Sequence, residues 1–312
     1  MEIFTDIESP GCSSSAVTVG SFDGVHRGHV AMIAEARSLA EARSLPLTVV
    51  TFARHPRLLF SGSDAPFLLT STDDKLSLLE RAGVERCLLL PFDNAMASLT
   101  AKEFMHDILL QRLGVRMLAV GYDHRFGRPQ TGEGISQYIE YGREMGIEVA
   151  QLHPYIPDGQ KISSSRVRGA LAAGDVESAA RMLGRNYSLQ GRVVHGEALG
   201  RRLGFPTANI SLSEPLQLLP LDGVYECTIK VRLGSYRGVM NVGCKPTLNG
   251  RNRTIEVFII GFDGDIYGEY VVVEFVRRLR GERRFAGLDD LRAQIESDVR
   301  RVSEEHPIER VT

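Results

Sequence analysis

The sequence predicts an α/β protein in two parts, an N-terminal domain built on a parallel sheet and a small C-terminal antiparallel β-barrel with a closing helix. Three observations predict this. In the first half, β-rich runs alternate with helix-like stretches, the order of strands and covering helices in a parallel sheet. Beyond Gly184–Tyr187 the texture changes to short β-rich runs separated by Gly, Asn and Pro, as in a small barrel. Last comes a stretch with Leu288, Leu291, Ile295 and Val299 on one helical face. The predicted domains are therefore residues 1–184 and 185–312.

A chain of 312 residues is long enough for two such cores. A net charge of -2 supplies no basic field, so a nucleic-acid partner is not expected and phosphate binding must come from local sites. No run approaches the roughly 18 apolar residues of a membrane span, and the acidic start, Met-Glu-Ile-Phe-Thr-Asp, is unlike a signal peptide. Cys12, Cys87, Cys227 and Cys244 are far apart and form no Cys-x-x-Cys, which reads as reduced thiols in a cytoplasmic protein.

The first element is a short strand carrying Val17 and Val19. Gly20, Gly24 and Gly28 punctuate a tight turn, and Val30, Ile33, Ala36 and Leu39 follow at helical spacing. His26 and His29 thus fall where a strand hands over to a helix N-terminus. Free backbone N–H groups and the helix dipole favour an anion there, glycine admits a phosphate close to the main chain, and two imidazoles can donate to it. Two histidines three apart could also be half of a zinc site, but no further ligand lies nearby at zinc spacing.

Strands are expected over residues 47–52, 86–90, 115–120 and 147–152, with helices over 72–82, capped by Ser71 or Thr72, and 101–113. Ligands of such sheets gather beyond the carboxyl ends of the strands. Val120-Gly-Tyr-Asp-His-Arg-Phe-Gly127 and its glycine-rich continuation lie at one such end. Ile162-Ser-Ser-Ser-Arg-Val-Arg168 opens a helix with hydroxyls suited to capping, and adds two arginines within one turn, more than capping requires. Gly174-Asp-Val-Glu then ends one helix and caps another.

In the second half, strands are expected over 188–194, 223–231, 236–242, 254–260 and 270–276. Thr207 and Asn209, two apart in an extended segment, share a face and offer neutral oxygen ligands suited to Mg²⁺; a turn after Pro206 would use the same residues. Glu256 sits in an apolar strand, where a buried carboxylate must be paired or used; a Glu on the wet face opposite Val257 is the plainer alternative.

Gly20-Ser-Phe-Asp-Gly-Val-His-Arg-Gly-His29 resembles the signature of the nucleotidyltransferase superfamily, in the form found in flavin adenylyltransferases. The resemblance implies a Rossmann-like nucleotidyltransferase domain with nucleotide contacts at Gly20, Phe22, Asp23 and Gly28. It implies further that Ser163, Ser164 and Arg168 grip the ATP phosphates, and that Asp123, Phe126 and Gly127 bind flavin. His124 stands where that family commonly has Phe.

Gly200-Arg-Arg-Leu-Gly-Phe-Pro-Thr-Ala-Asn-Ile210 is similar to the signature of riboflavin kinases, and further stretches through Leu279-Arg-Gly-Glu-Arg-Arg-Phe285 match that family in order. This implies nucleotide contacts at Gly196 and Arg201, Mg²⁺ held near Thr207 and Asn209, a flavin contact at Arg280, and Glu256 as general base. Together the two resemblances imply the bacterial bifunctional family that converts riboflavin to FMN and FMN to FAD, with ATP as co-substrate. Two other readings stay open here, a nucleotidyltransferase of cytidylyl or pantetheine type with an unrelated barrel, and a flavin-sensing module without turnover.

Overall fold

A computed structural model describes residues 1–5, 14–60, 67–122, 124–128, 133–196, 199–247 and 250–305. The chain divides into two compact units, Met1–Ser164 and Ser165–Thr312.

In the first unit, β1 (Glu2–Phe4) and β2 (Ala16–Val19) are followed by α1 (Arg27–Glu41), β3 (Leu47–Phe52), α2 (Pro56–Phe60) and α3 (Thr72–Arg81). Then come β4 (Arg86–Leu90), α4 (Asn94–Ser98), α5 (Ala101–Glu103), β5 (Met117–Gly121), α6 (Ile135–Met145) and β6 (Glu148–Leu152). The six strands form one parallel sheet in the order β1-β4-β3-β2-β5-β6. All four residues of β2 are buried, as expected of a strand covered on both faces. β3 and β4 lie to one side of β2 and β5 and β6 to the other, so the strand order reverses between β2 and β5. That is the switch point at which an open α/β sheet leaves a crevice for ligands.

Two details differ from the sequence reading. Helix α1 begins three residues earlier than expected and buries Ile33 and Ala36 as expected, but its buried stripe continues through Ala40, while Val30 is 39 % exposed and Leu39 half-buried. The helix expected over 101–113 is α-helical only through Glu103, opened by a Thr100–Glu103 capping box, and then widens into a π-helix over Phe104–Leu110. Such widenings let one more residue into a turn and re-aim the side chains that follow.

The second unit opens with α7 (Ser164–Ala172), whose first residue closes the first unit, and α8 (Val176–Leu183). Gly174 takes the left-handed φ of +78° between them, and the Asp175 carboxylate accepts from Ser178 N at 2.9 Å to cap α8. α8 packs on β7 (Tyr187–Val194) and β12 (Tyr270–Arg280). Between these strands run α9 (Leu199–Arg202), β8 (Thr207–Leu212), β9 (Gly223–Val231), β10 (Gly234–Thr247) and β11 (Gly250–Ile259). The six strands close into an antiparallel barrel in the order β10-β11-β8-β7-β12-β9, filled by residues such as Ile255, Val257, Val273 and Phe275. Closure leaves no sheet edge to protect.

Helix α10 (Leu288–Glu305) docks on the barrel through Val299 and Val302, which meet Val224 and Val239. Leu288, expected on its apolar face, is half exposed. Beneath this contact Glu226, 1 % exposed, accepts from Arg277 Nε at 2.6 Å and Arg237 Nη1 at 3.5 Å, and Arg237 also donates to the carbonyl of Val302. Removing one partner of such a group leaves buried charge uncompensated. Glu226→Ala is accordingly expected to lower barrel stability by about 3–5 kcal/mol, read as an earlier chemical-denaturation transition by circular dichroism.

Candidate active sites

The turn after β2 is strained. Phe22 and Val25 hold φ of +48° and +35°, conformations that cost a side-chain-bearing residue roughly 1–3 kcal/mol each. What holds them is Asp23, 3 % exposed, whose carboxylate accepts from Leu69 N at 2.9 Å, Thr70 N at 3.2 Å and Thr70 Oγ1 at 3.3 Å. Phe22 is 1 % exposed and packs with Val25, Ile33 and Leu79. Of the residues expected at the nucleotide, Asp23 and Phe22 therefore hold the turn in shape, whereas the two histidines occupy its outlet.

His26 caps α1, its Nδ1 accepting from His29 N at 3.1 Å. An accepting Nδ1 carries no proton, which places the proton of the neutral ring on Nε2. The His29 ring stacks on it, with centroids 3.6 Å apart. Part of His29 is exposed, but its Nδ1 is buried and has no hydrogen-bond partner among the described residues. Burial, then the neighbouring His26 and His124, hold the His29 pKa well below its ordinary 6.5. The pair is thus held as neutral imidazoles. A Cβ on Gly28 would lie 3.1 Å from His26 Nδ1, so Gly28 keeps the cap open. A Cβ on Gly20 would touch the Phe22 ring at 3.0 Å.

Beyond the carboxyl ends of β2, β3 and β5 lies a cavity of about 440 Å³ walled by Phe52, Phe92, Phe104 and Phe126, with His124 and Arg125 also on its lining. Phe126 stacks on Tyr138 at 4.5 Å and leans on Phe104 at 5.6 Å. Gly127 is held at φ +75° against α5, where a Cβ would collide with Ala101 N and lie 2.7 Å from Thr100 C. Phe126 and Gly127 thus sit at an apolar, aromatic pocket of the size a tricyclic ring needs. Asp123 lies outside the described residues.

Ser164 opens α7, and its hydroxyl donates to the carbonyl of Asp23 at 2.9 Å, tying the serine motif to the histidine turn. Ser163 precedes it at the helix start, and Arg168 lies one turn along α7, in the second unit.

In the barrel, strand register does the assembling. Glu256 of β11 pairs with Asn209 of β8 on one side and Asn241 of β10 on the other, which brings the three side chains onto one face about 5 Å apart. Thr207 Oγ1 donates to Glu256 Oε2 at 3.3 Å. Glu256 is not in the barrel core, where Ile255 and Val257 point; it is half-buried on the opposite face. That face is not open water, because Glu256, Thr207 and Asn241 line a cavity of about 640 Å³ with Leu203, Phe205 and Arg280. Of the two placements open in the sequence, Glu256 takes the face opposite Val257, since in a strand of period two the residue between two core positions must face outward, and it is there paired with Thr207.

Thr207 also lines a second cavity of about 300 Å³, shared with Arg201, Asp263 and Tyr267, so one threonine stands between the two. A Cβ on Gly196 would collide with the Asn209 carboxamide, and one on Gly200 would collide with the Phe205 carbonyl and come within 3.3 Å of Thr207 Oγ1. Both glycines keep space around the neutral oxygens. Among the described residues no group of three or more His, Cys, Asp or Glu could hold a metal alone. The Thr207 hydroxyl and Asn209 carboxamide fit Mg²⁺ of the kind whose remaining ligands are water and substrate phosphates. Arg280 lines the larger cavity while its guanidinium is held by Asp298.

Asn241 and Phe205 line that cavity without having been singled out in the sequence, and Leu291 and Ile295, expected only on the apolar face of the closing helix, line it as well. For Asn241 the signal existed only as strand register, which pairs residues of distant sequence.

Family models match the two halves in order, one described as FAD synthetase over residues 9–166 and one as riboflavin kinase over residues 183–305. The bifunctional riboflavin kinase/FMN adenylyltransferase of Haemophilus influenzae is 39 % identical over 290 residues, 93 % of this chain and 92 % of its own length. That of Bacillus subtilis is 35 % identical, over 92 % and 90 %. A crystal structure from Streptococcus pneumoniae, described as a macrolide-efflux protein, superposes with a TM-score of 0.85 at 32 % identity, covering 96 % of this chain and 97 % of that one. No helix among the described residues is long and apolar enough to cross a membrane. On two matched halves and relatives aligned over nearly their whole length, the chain belongs to the bifunctional riboflavin kinase/FMN adenylyltransferase family.

Proposed function

We propose that the two half-reactions of this family are divided between residues 1–184, which adenylylate FMN, and residues 185–312, which phosphorylate riboflavin. The observation that carries the kinase assignment is the contact of Thr207 with Glu256, with Asn209 in register beside them. In this reading Glu256 accepts the proton of the ribityl 5′-hydroxyl as its oxygen attacks the γ-phosphorus, and ADP leaves with the bond electrons. Thr207 and Asn209 hold Mg²⁺, and Arg201 and Gly196 border the nucleotide. When bound, Mg²⁺ neutralises charge on the ATP phosphates. The apolar walls of the cavity hold the flavin ring, and Thr207 stands where the γ-phosphate meets the acceptor.

Adenylylation asks less of a base, because the FMN phosphate is already an anion at neutral pH. Its oxygen attacks the α-phosphorus of ATP and pyrophosphate leaves. His26 through Nε2–H and His29 as a neutral imidazole donate to the phosphate oxygens as charge shifts among them. Ser163, Ser164 and Arg168 are assigned to the departing pyrophosphate by motif. Asp123, Phe126 and Gly127 are assigned to the flavin, Phe126 and Gly127 on the strength of the aromatic cavity they line. The reduced cysteines suit a cytoplasmic site of action.

Two substitutions separate the reactions. Glu256→Gln should lower FMN formation from riboflavin by about 10²–10⁴-fold while FAD formation from supplied FMN stays within twofold; His29→Ala should do the reverse, with a loss of about 10²-fold or more. Equal loss of both rates in either variant would overturn the assignment, and the assay is product chromatography with riboflavin or FMN as the starting flavin.

The His29 environment also sets a pH dependence. Its folded pKa is depressed, so below about pH 6.5 the unfolded chain binds a proton that the folded chain refuses. This group therefore costs nothing above that pH, and stability falls as pH drops from about 6.5 toward the folded value. Urea midpoints measured by circular dichroism from pH 7.5 to 5 should show that slope, and His29→Asn should flatten it.

A further inference from the structure

Helix α10 does more than close the barrel. Its face toward the 640 Å³ cavity carries Leu291 and Ile295 and, one turn on, Asp298. Asp298 is 6 % exposed and receives Arg280 in a fork, with Nη2 at 2.8 Å and Nε at 3.0 Å from Oδ2, while Gln294 Nε2 donates to Oδ1 at 2.8 Å. Paired N–H donors on one carboxylate fix both the position and the plane of a guanidinium. Arg280 itself ends β12 after two register irregularities, between Phe275 and Arg277 and between Arg278 and Arg280. Bulges of this kind re-aim the side chains that follow them. A strand end so disturbed does not by itself hold a long side chain in one place.

The helix does not need this pair to stay docked. Val299, next to Asp298, and Val302 pack against the barrel, and Arg237 donates to the carbonyl of Val302. The helix thus has anchoring contacts besides the Asp298–Arg280 fork, and the fork itself lies on the lining of the cavity.

Resting on the kinase reading above, we propose that Asp298, supported by Gln294, is a positioning residue for riboflavin phosphorylation. It holds the Arg280 guanidinium in the plane and place at which Arg280 meets the flavin, so that α10 helps to set flavin affinity in a site whose reacting groups lie on β8 and β11. The interaction is the same in the ground and transition states, so it bears on KM and leaves kcat nearly unchanged.

The test is a double-mutant cycle on the full chain, with steady-state kinetics for riboflavin and a fluorescence-quenching titration of riboflavin. Arg280→Ala and Asp298→Asn should each raise KM and the dissociation constant about tenfold or more, with kcat within about threefold. The double variant should be no worse than Arg280→Ala, because Asp298 acts only through Arg280. Asp298→Glu should recover part of the loss, and Gln294→Ala should shift KM in the same direction by less. FAD formation from FMN should match the parent in every variant, and because Asp298 is buried a lowered thermal transition is expected in Arg280→Ala and Asp298→Asn. The proposal is overturned if Asp298→Asn leaves KM within twofold, if the two effects multiply in the double variant, or if kcat falls by as much as KM rises. Should Asp298→Asn fail to fold, Asp298→Glu and Gln294→Ala decide alone, unchanged KM in both overturning it. If the parent does not phosphorylate riboflavin, the kinase reading itself fails, a result separable from all of these.

Discussion

One buried carboxylate carries the N-terminal site. Asp23 accepts three hydrogen bonds from the Leu69–Thr70 segment while its own carbonyl receives the Ser164 hydroxyl. Those bonds offset the left-handed backbone of Phe22 and Val25, which a turn this tight requires. With the turn held, His26 can cap α1 through Nδ1. The serine motif then arrives at the histidine turn through a hydrogen bond and not through proximity in sequence.

The barrel reaches its site by a different constraint, antiparallel register. Pairing of β11 with β8 and β10 places Glu256 between Asn209 and Asn241. A slip of one residue would turn Glu256 into the core and Val257 out of it. The core residues Ile255 and Val257 thus specify the site indirectly, since burying them requires that Glu256 face the cavity. Gly196 and Gly200 complete it by leaving room beside Asn209 and Thr207.

The two sites handle charge in complementary ways. Under the proposed assignment, the N-terminal one offers neutral imidazoles, kept so by the cap on His26 and the burial of His29, to a phosphate that is already a nucleophile. The barrel presents a carboxylate beside a hydroxyl, which under the proposed assignment suits an alcohol that must lose a proton before it becomes a good nucleophile. Each set of residues matches the protonation state of the acceptor it is assigned.

Much of this was legible in the chain itself, where the signal was local. Alternating strands and helices, the histidine turn at a strand-to-helix junction, the Ser71 and Asp175 caps and the shared face of Thr207 and Asn209 all depend on residues within a few positions of one another. Tertiary structure alone decided that Asp23 and Phe22 brace the turn, that the 101–113 helix widens into a π-helix under the aromatic cavity, that Glu256 faces away from the core and that Asn241 and Asp298 join its cavity. The physical reason is distance along the chain: periodicity and capping report neighbours in sequence, whereas strand register, a long-range carboxylate and a helix docked on a barrel are contacts that exist only once the chain has closed on itself.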